Sequence, residues 1–234
     1  PELILVCAYG QILTQQFLDI PDIGCFNLHF SFLPSLRGAS PVQTAIASGL
    51  KTTGVSLQKI VLRLDSGPLA VCSEEIEILQ DDTTPMLGTR LSEVCGNLIR
   101  QNLQNILEGN FTLTEQNESK ATYCSIIKKE DGHLNWKEET AHVIERKLRA
   151  YTPWPGIYSF YKIKSKSDSR HRLQFTKAEL VQGNFECGKI YPDLTVGAQT
   201  DGLKILYLKP EGKKEMDADS FLRGNAEILG TVLE

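Results

Sequence analysis

The sequence predicts an α/β protein: an open, mostly parallel sheet with helices on both faces, followed by a small β-barrel. Three observations carry this. Residues 3–110 alternate short apolar runs with helical segments, the pattern of a sheet covered on both faces. From about residue 130 the chain switches to short strands set off by turn residues. Between them lies polar "TEQNESKATYCSIIKK" (114–129), and the expected domains are 1–122 and 123–234.

The elements follow in order. "LILVCA" (3–8) and "CFNLH" (25–29) are buried-strand runs. A domain rarely opens on a central strand, so further residues are expected to precede Pro1. In "ASPVQTAIASG" (39–49), Ser40 is placed to cap a helix, Pro41 to occupy its first position and Gly49 to stop it. "TGVSLQKI" (53–60) and "LAVCSEEIEI" (69–78) are further strands. Thr84 and Pro85 open a long helix whose apolar stripe is Met86, Leu87, Leu91, Val94, Cys95, Leu98, Leu103, Ile106 and Leu107, with Gly109 at its end. Beyond the boundary, "HLNW" (133–136) is strand-like and "ETAHVIERKLRAY" (139–151) is an amphipathic helix, broken by "TPWPG" (152–156). Strand runs follow at "IYSFYKIK" (157–164), "HRLQFTKAELV" (171–181), "LTVGAQT" (194–200) and "LKILYLKP" (203–210). Asp201-Gly202 is a hairpin signal between the last two.

Composition narrows the class. No run approaches the roughly 18 apolar residues of a membrane helix, so no membrane association is expected. The six cysteines form no CxxC pair and have no histidine at zinc spacing, so they are expected to be reduced core thiols, with no metal. The net charge of −4 hides an asymmetry: residues 1–119 hold 6 Lys+Arg against 13 Asp+Glu, and residues 120–234 hold 19 against 16. Lys162, Lys164, Lys166, Arg170, Arg172 and Lys177 bunch together with only Asp168 opposing. Such a bunch is either a solvated face or a footprint for a phosphate backbone.

The stretch "NLHFSFLPSLRGASP" (27–41) carries the chemistry. Along a strand the side-chain period is two, so Asn27 and His29 share a face, and both sit at a strand's carboxyl end, where open α/β sheets bind ligands. An amide and an imidazole side by side can donate to one oxygen, as a tetrahedral oxyanion of acyl transfer requires. They can equally satisfy backbone groups of a loop. Asp65, in "RLDSG" (63–67), is a candidate third member, placed by parallel neighbouring strands. A carboxylate beside an imidazole fixes its orientation and can collect a proton from an attacking amine. Asp-Ser-Gly is also an ordinary turn.

Resemblance separates these readings. "AYGQIL" (8–13), "NLHFSFLPSLRGASPVQTAI" (27–46) and "LDSG" (64–67) resemble, in order and spacing, the folate-dependent formyltransferase superfamily. "RAYTPWPG" (149–156) and "PEGKKEMDADSFLRG" (210–224) resemble signatures of the methionyl-tRNA formyltransferase family. The resemblance implies a Rossmann-like catalytic domain, here incomplete at its N-terminus, and an OB-like barrel. It implies 10-formyltetrahydrofolate as co-substrate, initiator methionyl-tRNA as partner and Asn27, His29 and Asp65 as the catalytic triad. Its folate contacts fall on Ser31, Phe32, Leu33 and Pro34 and on Tyr9, Gly10, Ile12 and Leu13. With tRNA as partner, Lys162, Lys164, Lys166, Arg170, Arg172, Lys213 and Lys214 are the expected phosphate contacts. A cytoplasmic monomer is expected, or an organellar matrix protein if a targeting segment precedes Pro1.

Two details qualify the match. Phe32 stands where the family usually has Leu. The family loop commonly reads Met-Asp-x-Gly-Leu-Asp, whereas this chain has Ile60, Val61, Leu62, Arg63, Leu64 and Asp65. A positive φ at the family's glycine would strain Arg63. The rival readings are a sugar-nucleotide formyltransferase, the hydrolase domain of a formyltetrahydrofolate dehydrogenase, and a non-catalytic RNA-binding relative.

Overall fold

Parallel pairing of β1 (Leu3–Cys7) with β2 (Gly24–His29) starts the first sheet in the computed structural model, which describes residues 1–162 and 170–234. A short helix, α1 (Gln15–Leu18), lies between them. After β2 come the two-residue β3 (Arg37–Gly38) and helix α2 (Pro41–Ala47), with Pro41 in its first turn and Gly49 at φ 73° beyond its end. The chain then forms β4 (Thr52–Thr53), β5 (Ser56–Lys59), β6 (Leu69–Cys72) and β7 (Ile76–Glu77) before the long α3 (Thr84–Leu107). The sheet order is β1-β2-β5-β6.

The α/β class and the antiparallel second unit are as the sequence predicts. Strand polarity departs from a mostly parallel sheet. Only β1 and β2 are parallel in this sheet; β5 runs antiparallel to β2, and β6 to β5. For β5 and β6 the reason is length, because a parallel return needs a dozen or more residues and only a short hairpin separates these strands. Asp65 therefore stands in a hairpin.

The two runs expected as single strands, 53–60 and 69–78, both break. Each changes partner midway: β5 pairs β6, whereas β4 pairs β7. Ser73 joins the halves, its N–H donating to the Val55 carbonyl while its hydroxyl accepts from Val55 N–H.

Helix α3 buries Leu87, Leu91, Cys95, Leu98 and Ile106, while Met86 and Leu107 of the expected stripe are exposed. Near its start, the fully buried Asp82 carboxylate is held by Arg90 through two bonds of 2.5 and 2.6 Å. Among the described residues no helix is long and apolar enough to cross a membrane, and all six cysteines are free thiols.

Two units divide the chain, Pro1–Ile127 and Lys128–Glu234. Residues 114–124 are bonded into the first: Thr114 pairs with Leu69, and β8 (Tyr123–Cys124) runs parallel to β3. In the second unit "HLNW" forms only a bridge from His133 to Tyr158. Helix α4 (Ala141–Ala150) is capped by Thr140, whose hydroxyl accepts from Val143 N–H, and packs on the sheet. That sheet is antiparallel, ordered β11 (Thr195–Gly197), β12 (Gly202–Pro210), β10 (Arg170–Val181), β9 (Ile157–Lys162), with β13 (Met216–Asp217) on β12. A bulge near Lys177 bends β10. Trp136, Leu173, Phe175, Leu203, Ile205 and Phe221, the last from α5 (Ala218–Gly224), are buried.

The hairpin that carries Asp65 closes on Gly67, where a Cβ would lie 1.7 Å from the Lys59 carbonyl oxygen. Gly67→Ala is expected to cost about 1–3 kcal/mol or more by overpacking. Thermal melting checks this, and an unchanged midpoint would show that the closure is not tight.

Candidate active site

Asn27 and His29 project from the same face at the end of β2, and the antiparallel register sets Gln58 and Ser56 of β5 beside them. Over these groups the hairpin folds Asp65 back. Its side chain is 9% exposed, so the carboxylate must find its partners inside the protein. Oδ1 accepts from Gln58 Nε2 at 2.7 Å and, more weakly, from Asn27 Nδ2 at 3.4 Å. Oδ2 accepts from Gly38 N–H at 2.8 Å and lies 3.6 Å from His29 Nδ1. The structure thus brings together the three polar residues singled out in the sequence.

Hydrogen-bond logic fixes the tautomer of His29. Nε2 lies 2.8 Å from the Leu36 carbonyl oxygen, which can only accept, so Nε2 carries a hydrogen. The nitrogen with an open protonation state is Nδ1, facing Asp65. His29 is buried, with both ring nitrogens directed at protein groups. Asn27 is half-buried and held by one long bond, so of the two expected oxyanion donors it is the one poised to turn.

Backbone strain marks the same place. Of the five non-glycine residues with positive φ among the described residues, Ala8 (50°) starts the loop after β1, Leu36 (57°) presents the carbonyl to His29, and Asp65 (48°) is the carboxylate itself. Such residues cost energy and persist where surrounding structure holds them. Arg63 is not among them, so the strain expected at that position falls two residues later. Cys124 donates its thiol to the same Leu36 carbonyl at 3.3 Å, and burial pushes that thiol up from its ordinary range.

Sequence reasoning missed the support behind Asp65. Arg37 is fully buried and donates through Nε and Nη2 to Gln116 Oε1, at 3.0 and 2.8 Å, and through both Nη groups to Glu118. Gln116 Nε2 in turn donates to the backbone carbonyls of Asp65 and Gly67, at 2.9 and 2.7 Å. Ser56 bonds the Ser31 carbonyl and Leu33 N–H, tying down the proline loop. The available signal was alternation: Ser56 and Gln58 stand two apart in a strand, on the face that Asn27 and His29 occupy across the pair.

The loops expected to meet folate differ in availability. Because β1 and β2 are parallel, the loops following both leave from the same end of the pair. Tyr9, Gly10 and Ile12 are exposed and Leu13 is half-buried. Ser31 and Leu33 are buried, and the Ser31 hydroxyl donates to the Ser35 carbonyl, so these two build the loop from within. Phe32 and Pro34 are half-buried. The Phe32 ring lies over Gly54, where a Cβ would come within 2.2 Å of it.

In the second unit, β9 and β10 bring Lys162, Arg170 and Arg172 together, and the turn bearing Lys213 and Lys214 leaves β12 where Pro210 pairs with Leu173. Lys164 and Lys166 lie outside the described residues. Arg170 covers Phe160 and Arg172 covers Tyr158, at 3.9 and 4.0 Å. Glu234 lies 3.2 Å from Lys162 and 3.4 Å from Arg170. Among the described residues, no group of three or more His, Cys, Asp or Glu is placed to hold a metal ion.

An amide, an imidazole and a buried carboxylate converge at a strand end, in an α/β unit that precedes an antiparallel β unit, which fits the formyl-transfer reading that the resemblance implies. Two family models agree: "Formyl transferase" matches residues 1–103 and "Formyl transferase, C-terminal domain" residues 126–226. The methionyl-tRNA formyltransferase of Thermodesulfovibrio yellowstonii is 39% identical over 227 residues, covering 96% of this chain and 70% of that protein. That of Caldanaerobacter subterraneus is 35% identical over 239 residues, covering 100% and 74%. The chain belongs to the methionyl-tRNA formyltransferase family. Among solved structures, HypX from Aquifex aeolicus in complex with tetrahydrofolic acid shares the fold, with TM-score 0.67 at 16% identity; 97% of this chain aligns with 39% of HypX. An N-formyltransferase from Helicobacter canadensis, solved with folinic acid and dTDP-3-aminofucose, gives 0.64 at 19% identity, over 89% and 71%.

The Arg37–Glu118 pair generates a pH prediction. Arg37 holds the Glu118 carboxyl below the usual glutamate range, chiefly by hydrogen bonding. A depressed folded-state value gives stability that is present above the ordinary glutamate value and lost as pH falls through the lowered one. Glu118 is 51% exposed, so this acid limb should be modest. Arg37→Met should shrink this limb in melting curves between about pH 3 and 6, leaving the part that Arg63 sustains. At neutral pH it should cost about 1–3 kcal/mol, because the Gln116 carbonyl loses its buried donors. Parallel pH profiles for variant and wild type would contradict the pairing.

Proposed function

We propose that this chain transfers the formyl group of 10-formyltetrahydrofolate to the amino group of the methionyl moiety of initiator methionyl-tRNA. The observation that carries the reading is the convergence of Asn27 and His29 on the buried Asp65 carboxylate at the end of β2. The neutral amine adds to the formyl carbon, and the carbonyl oxygen becomes an oxyanion. Asn27 turns its amide from its long bond with Asp65 to that oxygen. The amine nitrogen, positive after addition, loses a proton to the Asp65 carboxylate. The nearby His29 Nδ1 gives that proton a second resting place, while Nε2 stays on the Leu36 carbonyl. A protonated imidazole beside the site further offsets the oxyanion's charge. Collapse expels the folate nitrogen, which takes that proton back from Asp65 or His29, and leaves the formamide.

Folate is held in this reading by the exposed Tyr9–Leu13 loop and by the half-buried faces of Phe32 and Pro34. Ser31 and Leu33 act by shaping the loop. The tRNA backbone meets Lys162, Arg170, Arg172, Lys213 and Lys214, with Lys164 and Lys166 in the same sequence run. Glu234 is the group that phosphates displace from Lys162 and Arg170.

Three measurements test this. Asn27→Ala removes the oxyanion donor and should lower kcat about 10²–10³-fold while folate affinity stays within a few-fold. Near-normal kcat in the intact protein would sink the assignment. Asp65→Asn should likewise reduce kcat far more than it raises either KM. For the basic edge, tRNA affinity should fall with salt, and Lys162→Gln with Arg170→Gln should flatten that dependence by roughly one unit of log–log slope per lost phosphate contact. Equal slopes would return these residues to a solvated face.

A further inference from the structure

Two amides compete for one oxygen of Asp65. Gln58 Nε2 sits at 2.7 Å from Oδ1 and Asn27 Nδ2 at 3.4 Å, so Gln58 makes the strong bond. Gln58 is only 2% exposed, and its amide must point nitrogen-first at the carboxylate. An amide has two orientations of nearly equal shape, so something must select this one.

Arg37 makes that selection. A guanidinium has donors and no acceptor, and it stays charged. Gln116 must therefore present Oε1 to Arg37, which it does at 3.0 and 2.8 Å. That leaves Gln116 Nε2 directed at the carbonyls of Asp65 and Gly67, with Gln58 Oε1 3.4 Å away. Gln58, with its oxygen drawn toward Gln116, can only offer Nε2 to Asp65. Each member is buried, at 0% for Arg37 and 9% for Gln116, so water does not compete for the orientation.

We propose that Gln58 is a positioning residue for the transfer reaction, oriented by Arg37 through Gln116. Its strong bond to Asp65 releases Asn27 to serve the reacting oxygen. The proposal rests on the formyl-transfer reading above. Without Gln58, the buried carboxylate would recruit the remaining amide, and Asn27 would be held on Asp65.

A double-mutant cycle on the intact protein tests this. Gln58→Met keeps the approximate shape and removes the donor. It should lower kcat for methionyl-tRNA formylation roughly 10- to 100-fold, the effect of a hydrogen bond to a charged group, with both KM values within about threefold. In the Gln58→Met background, Asn27→Ala should cost at least about fivefold less than in wild type, because Asn27 is already diverted. An additive cycle, within about twofold, would overturn the proposal, as would unchanged kcat in Gln58→Met. Should Gln58→Met fail to fold, Gln58→Asn, one methylene too short to reach Asp65 but still polar, enters the same cycle. A second readout is independent of turnover. The Asn27 side-chain amide resonances, identified by their loss in Asn27→Ala, should shift and exchange more slowly with solvent in Gln58→Met. Unmoved resonances would overturn the relay. Wild-type protein without transferase activity would instead overturn the functional reading.

Discussion

A carboxylate largely withdrawn from water dictates the arrangement of the first unit. Asp65 has a side-chain exposure of 9%, and an ionised carboxyl in that position must collect donors from whatever surrounds it. It collects them from separate segments: Gln58 from β5, Asn27 from β2, and the Gly38 N–H from β3. Each donor fixes the segment that bears it. The strand end, the proline loop and the hairpin are therefore gathered around one atom group, and the positive φ of Asp65 is sustained by those bonds.

The same economy explains the differing roles of Asn27 and His29. Equal access to substrate is what two polar residues on one strand face suggest. The structure instead buries the imidazole between the Leu36 carbonyl and Asp65, and leaves the amide half-buried on a long bond. A group with short, well-satisfied bonds preorganises a site, whereas a weakly held donor can move to charge as it develops. Chemistry that makes an oxyanion and releases a proton needs both kinds of group.

Much of this was legible in the sequence because it rests on local rules. The two-residue period placed Asn27 and His29 on one face, and the 3.6-residue period gave most of the buried stripe of α3. Strand polarity after β2 was not legible, since apolar runs look alike whichever way they run. Nor was the relay behind Asp65. Arg37, Gln58 and Gln116 are far apart in sequence and individually unremarkable; their value comes from burial and mutual orientation, which no local pattern encodes. The polar stretch 114–129 marked the expected domain boundary but gave no sign of its bonds, for the same reason. Its Gln116, Glu118 and Thr122 are polar because they bond to residues 34–37 and to the Asp65 hairpin.

The same support lets the hairpin accommodate Arg63. At the position where the resemblance implies a glycine, this chain has Arg63, and a side chain of that size survives only if the backbone there avoids the left-handed region and the charge finds a partner. Both conditions hold. The positive φ falls at Asp65, where buried bonds sustain it, and Arg63 Nη2 lies 3.1 Å from Glu118 and 3.3 Å from the Tyr123 hydroxyl. At 64% exposure the ion pair itself contributes little to stability. Its consequence is geometric: Glu118 receives Arg37 from beneath the surface and Arg63 from above it, so one carboxylate links the buried relay to the outer edge of the hairpin. Residues 61–64 therefore form the face that the hairpin shows to solvent while Asp65 keeps its donors.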